Sequence, residues 1–337
     1  MINILIIKFG ALGDVVRSSY ILPGLHEKYN NSNIYWLTSE SAYDLLRFNP
    51  YIVNLCTPNH NFKLLSGINF DVVISLDDEL DILELIQDLS VKVSFGAYLS
   101  NESIQYTDNV SAWFDMGLLS RFGKEKADKL KKRNQLEHNQ IFENMLSIKI
   151  DQAKFYNSNF IIQKLEKTFD NNFYNIGINS GAGGRWTSKQ LNEVEAIKLI
   201  NKLLTLKING KKVRLYLLGG VNEDSRNRRI ALNFSESVFY LGCSDNLLEF
   251  AARIGCLDYL ITSDSLALHL AISHQVKNLS FYAPTSASEV GTFNTGVKLV
   301  SLSSDYCSYS GVCDNKTITS ERIFDLFLTH VECYEVS

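Results

Sequence analysis

Four short stretches of this sequence carry side chains suited to chemistry, and three of them add glycines that free the backbone. The first, Lys8-Phe9-Gly10-Ala11-Leu12-Gly13-Asp14, follows an apolar run and precedes an amphipathic one. Gly10 and Gly13 permit a tight turn and close approach of a ligand to the backbone. Asp14 falls where a helix would begin, so its carboxylate is either a reactive group or a charge that suits a helix terminus. The second runs from Asn179 to Lys189 and holds Gly181, Gly183 and Gly184 with Ser180, Thr187 and Ser188. Arg185 and Lys189 add positive charge where the next helix begins, and the set favours a phosphate. The alternative is a glycine-rich turn with solvated bases. The third is Thr262–His269, where Asp264 and Ser265 suit a helix N-terminus whose free N–H groups face a ligand. His269 fits an interface as well as a ligand contact. In the fourth, Gly219-Gly220-Val221-Asn222-Glu223, the glycines let the chain turn and Asn222 and Glu223 can reach a ribose.

Absent motifs narrow the chemistry. The first loop lacks the G-x-G-x-x-G spacing of a dinucleotide site, which removes a nicotinamide dehydrogenase, and no G-x-x-x-x-G-K-[ST] occurs. There is no H-E-x-x-H, no G-x-S-x-G, and no D-x-D of the kind that holds a metal on a nucleotide diphosphate. His269 and His274 are spaced wrongly for one helix face to offer both to a metal, and Cys307, Cys313 and Cys333 lack zinc-knuckle spacing. No metal is therefore expected. Lys124–Arg133 mixes signs through Glu125 and Asp128; it reads as a solvated face, or else as a surface for an anionic acceptor or lipid head group.

The elements that must position these loops alternate. Strands are predicted at Ile2–Ile7, Asn33–Leu37, Ile52–Cys56, Val72–Leu76 and Val91–Phe95, with helices at Val15–Lys28, Glu79–Leu89 and Gln135–Leu146. Pro23 should kink or shorten the first helix. The pattern restarts with strands at Tyr174–Asn179, Val213–Leu218, Val238–Leu241, Tyr259–Thr262, Lys277–Tyr282 and Val297–Leu302. Helices are predicted at Gln190–Leu204, Asn222–Leu232, Asn246–Gly255, Leu266–His274 and Ser320–Glu332. Such alternation marks parallel sheets covered on both faces. Two Rossmann-like domains are expected, 1–160 and 161–337, with the boundary inside 150–172 and the last helix able to return to the first domain. Ligands bind at the carboxyl ends of strands in such sheets, and all four loops directly follow strands. The 337 residues are 45% hydrophobic and 21% charged with net charge −4. That balance offers no bulk positive field for nucleic acid. No apolar stretch is long enough to span a bilayer. MINILIIKFG reads as a first strand rather than a signal peptide, and six scattered cysteines favour reduced thiols in the cytoplasm.

Together, ILIIKFGALGDVVRS, GAGGRWTSKQL, LLGGVNED and ITSDSLALHLAISHQVKNLSFYAPTSASE, in this order, resemble glycosyltransferase family 9, the ADP-heptose:lipopolysaccharide heptosyltransferases and their relatives. The resemblance implies a GT-B fold, two Rossmann-like domains facing a central cleft, with the acceptor on the first and the nucleotide-sugar donor mainly on the second. It implies an inverting, metal-independent transfer with no cofactor beyond the donor, expected to be ADP-heptose. By the same resemblance Asp14 is the catalytic base, Lys189 binds phosphate, and Asp264, Ser265 and His269 lie near the diphosphate and sugar. Gly181, Gly183, Gly184, Arg185, Thr187, Ser188, Asn222 and Glu223 complete the expected donor site. Acceptor contacts are expected around Phe9, Gly13, Arg17 and the region of Trp113. The chain departs from the family pattern at Leu266, where glycine is usual, and at Leu191, where tryptophan is usual.

On this reading an acceptor hydroxyl attacks the anomeric carbon, Asp14 takes its proton, and Lys189 with loop N–H groups stabilises the departing diphosphate. The acceptor is open between lipopolysaccharide core, another glycan, a lipid-linked glycan and a protein. A cytoplasmic protein is expected, and peripheral association with the inner face of the membrane is compatible with it. Two rivals remain at this point, a GT-B-like sugar-nucleotide epimerase and a non-catalytic nucleotide-sugar-binding protein.

Overall fold

The computed structural model describes residues 1–336 apart from 118–121, 185, 235, 244 and 245. The chain forms two compact units, Met1–Gln152 and Ala153–Ser337. The division lies inside the 150–172 window and ahead of the 160/161 boundary drawn from sequence.

In the first unit, strands β1 (Ile2–Ile7), β2 (Ser32–Leu37), β3 (Ile52–Cys56), β4 (Asn69–Ser75), β5 (Ser90–Ser100) and β6 (Ser103–Tyr106) form one sheet in the order β3-β2-β1-β4-β5-β6. The first five strands pair in parallel. Ile4, Leu5, Ile6 and Ile7 are all fully buried, as expected of a central strand covered on both faces. Pro23 acts as its chemistry requires. The helical run breaks into Leu12–Ser18, a 3₁₀ turn at Ser19–Ile21, and Leu22–Lys28, with Pro23 in the first turn of the last piece. There its missing N–H costs no hydrogen bond.

One strand departs from expectation. β5 runs five residues past Phe95 and turns back antiparallel into β6. Gly96 makes the passage possible: its φ is +111°, and a Cβ there would lie 1.8 Å from the Ser75 carbonyl oxygen. The turn uses Asn101 and Glu102, both at positive φ, the geometry of a two-residue hairpin. Glutamate stands where glycine usually signals such a turn, which hid the hairpin.

In the second unit, β7 (Tyr174–Asn179), β8 (Leu206–Ile208), β9 (Lys211–Leu217), β10 (Val238–Tyr240), β11 (Tyr259–Ser263), β12 (Lys277–Tyr282), β13 (Gly296–Val300) and β14 (Tyr334–Val336) form a sheet in the order β13-β12-β11-β7-β9-β8-β14, with β10 also paired to β9. β8 and β14 extend its edge antiparallel and were not foreseen. Among the described residues no helix is long and apolar enough to cross a membrane.

The last helix, Ser320–His330, does not need the first domain for burial. Ile323 and Phe327 lie in the core of the second unit, beside Leu199 and Leu203 from helix Glu193–Leu204. Glu195 fastens the two helices together, accepting from the Ser320 N–H at 2.7 Å and its hydroxyl at 2.6 Å. These bonds hold the Glu195 carboxyl down at about 2. A carboxylate with a lowered folded-state pKa contributes stability above its unfolded value and loses it as pH falls through the folded one. Glu195→Gln should therefore cost about 1–3 kcal/mol at pH 7. In urea unfolding at stepped pH, the gap to wild type should close as pH falls from about 4.5 towards 2.

Candidate functional site

Two loop clusters stand at the carboxyl ends of the sheets, one in each unit. In the second unit β7 and β11 are neighbours, so the loop after Asn179 and the one after Ser263 emerge side by side. Lys189, in a 3₁₀ turn at Thr187–Lys189, points its ammonium at Asp264. Nζ lies 2.8 Å from Oδ2 and 2.9 Å from the Asp264 carbonyl oxygen. The Thr285 hydroxyl donates to the same Oδ2 at 2.7 Å. Burial pushes the Asp264 carboxyl up, but Lys189 and His269, with the hydrogen bonds from Lys189 and Thr285, outweigh it and hold the group well below the usual carboxylate range. The pair is ionised, and the lysine charge is fixed in place. The indole of Trp186 lies 5.9 Å from the same ammonium.

Ser265 occupies the N-cap position of helix Leu266–Ser273, yet its side chain does not cap it. The hydroxyl instead accepts from Asn179 Nδ2 at 3.0 Å. That amide group also donates to the Gly181 carbonyl and to Thr262 Oγ1, so β7 and the 264–269 turn are locked together. The helix therefore begins without a side-chain cap beside the Lys189–Asp264 pair. His269 is buried on this helix, and Leu266, at its first position, is half-buried. Leu191 is 2% exposed and belongs to the hydrophobic core, so the departure there is a packing change.

Glu223 proves to be a structural carboxylate. Only 3% exposed, it accepts from the Gly183 N–H at 3.2 Å through Oε1 and from the Gly220 N–H at 2.9 Å through Oε2. It joins two glycine turns that are 40 residues apart in sequence. Gly181 and Gly219 are glycines because of it. A Cβ on Gly181 would lie 2.4 Å from Glu223 Oε1, and one on Gly219 would lie 2.7 Å from Glu223 Cβ. Gly183 is a glycine for another reason, its φ of +72°. Asn222 is exposed over Gly184. Thr187 and Ser188 donate to the carbonyls of Gly311 and Ser310, each at 3.4 Å. Arg185 lies outside the described residues.

The sequence reading passed over Arg226. One turn beyond Glu223 in helix Val221–Leu232, it donates to the Ser180 hydroxyl at 2.8 Å and to Gln190 Oε1 at 3.4 Å. The signal for it was helical spacing: a residue three after Glu223 points back towards the N-terminus of its helix, where the glycine loops are.

In the first unit, Lys8 and Asp77 form a buried ion pair at the ends of β1 and β4, and Asp77 also accepts the Phe9 N–H. Burial lifts the Asp77 carboxyl to about 6 even against the Lys8 ammonium. Thr38 and Ser39 donate to the carbonyls of Lys8 and Phe9 at 2.7 and 2.8 Å. The start of the loop is thus clamped from both sides, and the half-buried Phe9 ring packs on the core of this unit. A Cβ at Gly10 would meet nothing within 4 Å, so open space lies beside it. Gly13 is the second residue of helix Leu12–Ser18 and Asp14 the third, in its first turn. Asp14 Oδ1 pairs with Arg17 at 2.8 Å, and its side chain is 33% exposed. Arg17 is anchored in turn by His138 Nδ1 at 2.7 Å and stands 5.8 Å from the Trp113 ring. Phe9, Gly13, Asp14, Arg17 and Trp113 therefore do share one end of this sheet.

If Glu223 is a brace between loops, Glu223→Gln removes one charge-assisted acceptor and should cost about 1–3 kcal/mol of stability. Guanidinium unfolding followed by circular dichroism measures it. Unchanged stability would return Glu223 to a purely ligand-facing role.

The model of glycosyltransferase family 9 (heptosyltransferase) matches residues 162–317, the stretch that holds the Lys189–Asp264 pair. No curated protein matches the chain in sequence. Among solved structures, a family 9 glycosyl transferase from Veillonella parvula shares 15% identity, with 97% of this chain and 96% of that one covered at a TM-score of 0.76. The ADP-heptose lps heptosyltransferase II of E. coli shares 13% identity at TM-score 0.68, covering 97% and 98%. The E. coli heptosyltransferase WaaC, solved with ADP, shares 13% at TM-score 0.67, covering 98% and 100%. The fold is GT-B, as the resemblance implied. With the family 9 model matched over most of its second unit and this fold across nearly all its length, the chain is similar to glycosyltransferase family 9.

Proposed function

We propose that the chain is an inverting, metal-independent glycosyltransferase of the cytoplasmic side of the cell. It would move a sugar, heptose by family inheritance, from a nucleoside diphosphate to a cell-surface glycan such as lipopolysaccharide core. The observation that carries the proposal is the Lys189–Asp264–Thr285 constellation beside the uncapped start of helix Leu266–Ser273. A fixed ammonium and a helix N-terminus without a side-chain cap suit a diphosphate. As the glycosidic bond breaks, charge grows on the diphosphate, and these groups need no rearrangement to meet it. WaaC was solved with ADP, which makes an adenine nucleotide the first donor to try.

Asp14 is the proposed base. Its carboxylate is partly exposed, and Arg17, held by His138, pairs with one of its oxygens. The carboxylate can take the proton of an acceptor hydroxyl as that hydroxyl attacks the anomeric carbon. General-base help of this kind is worth about 10²–10⁴-fold.

Two measurements test the reading. In a thermal-shift panel of ADP, UDP, GDP and CDP without metal, the cognate nucleotide at 100 times its Kd should add about 2.7 kcal/mol, a shift of several degrees. Lys189→Ala should lose that shift. Asp14→Ala should keep it while transfer falls by about 10²–10⁴-fold. Near-normal transfer by Asp14→Ala would sink the assignment of the base.

A further inference from the structure

Among the described residues, several cations of the two loop clusters face a carboxylate. Lys8 faces Asp77, Arg17 faces Asp14 and Lys189 faces Asp264. Arg226 faces no carboxylate within ion-pair distance among the described residues. Its hydrogen-bond partners are neutral, the hydroxyl of Ser180 and the side-chain oxygen of Gln190. Its Nε is buried with no hydrogen-bond partner. The nearest acids are committed elsewhere, Glu193 to Arg229 at 2.9 Å and Glu223 to the amides of Gly183 and Gly220. Burial weakens the hold of Arg226 on its proton, with Glu223 and Glu193 opposing and Arg229 adding to the effect. A guanidinium stays charged regardless. A half-buried charge with only neutral partners is costly, and an anion that reaches it removes that cost.

The position says which counter-ion. Ser180 opens the glycine-rich loop and Gln190 closes it, so the guanidinium bridges both ends of the loop that carries Lys189. Arg forks match phosphate oxygens with two parallel N–H bonds. We propose that Arg226 is a second cationic ligand for the diphosphate of the donor, meeting it from the helix Val221–Leu232 side while Lys189 meets it from the Asp264 side. The proposal rests on the donor-site reading of this loop. The Ser180 and Gln190 contacts then serve as the resting partners of a side chain whose working partner is an anion.

The two roles open to Arg226, loop brace and anion ligand, predict opposite responses to neutralisation. A brace stabilises the ligand-free protein. An uncompensated charge destabilises it, so Arg226→Gln should leave the ligand-free Tm unchanged or raise it by about 1–3 °C. The probe is inorganic pyrophosphate, titrated calorimetrically at two salt concentrations into wild type, Arg226→Gln and Arg226→Lys. Arg226→Gln should bind about tenfold more weakly with a flatter salt dependence, and Arg226→Lys should recover part of the affinity. Binding by Arg226→Gln within twofold of wild type would overturn the proposal. So would equal weakness of Arg226→Gln and Arg226→Lys together with a fall in both ligand-free Tm values, which marks a brace. Failure of wild type to bind pyrophosphate or any nucleoside diphosphate would instead remove the donor site itself.

Discussion

The second unit depends on one buried carboxylate. Glu223 accepts amides from two glycine turns, and the turns have their shape because it is there. A carboxylate so placed leaves no room for side chains on Gly181 and Gly219. It also closes the first turn of the helix that carries Arg226. With Glu223 in place, the loop between Ser180 and Gln190 is held at Gly183, and Lys189 leaves it in the direction of Asp264. Backbone N–H groups satisfied by a charged acceptor are held more firmly than by a neutral one. The carboxylate thus turns two flexible sequences into a rigid rim.

The rim then determines the electrostatics. Burial pushes the Asp264 carboxyl up; the adjacent Lys189 ammonium, His269 and the hydrogen bonds win, and the carboxyl is held well below its usual range. In the first unit the balance at Asp77 goes the other way, since burial outweighs Lys8 and the carboxyl rises. The difference follows from the partners. Asp264 has Lys189, His269 and Thr285 around it, whereas Asp77 has Lys8 and a backbone N–H, with Glu79 adding like charge. Lysine–aspartate pairs therefore stand behind both loops, and each fixes the start or the end of a segment that the proposed chemistry uses.

Much of this was legible in the sequence because the strands read as apolar runs and the loops follow them directly. Strand β1 was placed to the residue, and Pro23 marked the break in its helix. The Lys189–Asp264 contact was not legible, since its partners lie 75 residues apart and only the pairing of β7 with β11 brings them together. The glycines were recognised, but the crowding that requires two of them was not: a Cβ on Gly181 or Gly219 would collide with Glu223. The β5–β6 hairpin escaped because Asn101-Glu102 adopts a turn that glycine normally announces. Arg226 escaped because loop-by-loop reading ends where the helix starts, while its side chain reaches back across that boundary.

Sequence and fold divide the molecule differently. The family match is confined to 162–317, although family 9 structures superpose on 97% or more of the chain. Both sheets are built on the same parallel logic, so the fold tolerates wide change in either. A diphosphate asks the same of every protein that binds it: a cation, free N–H groups and a rigid loop. Acceptors differ in charge, size and linkage, and nothing comparable constrains the loops that meet them. On the proposed reading, the second unit keeps its sequence because its ligand is shared, and the first has drifted because its ligand is not. The same logic limits what is inherited. The acceptor is to be argued from Asp14, Arg17, His138 and Trp113 in this chain rather than from its relatives.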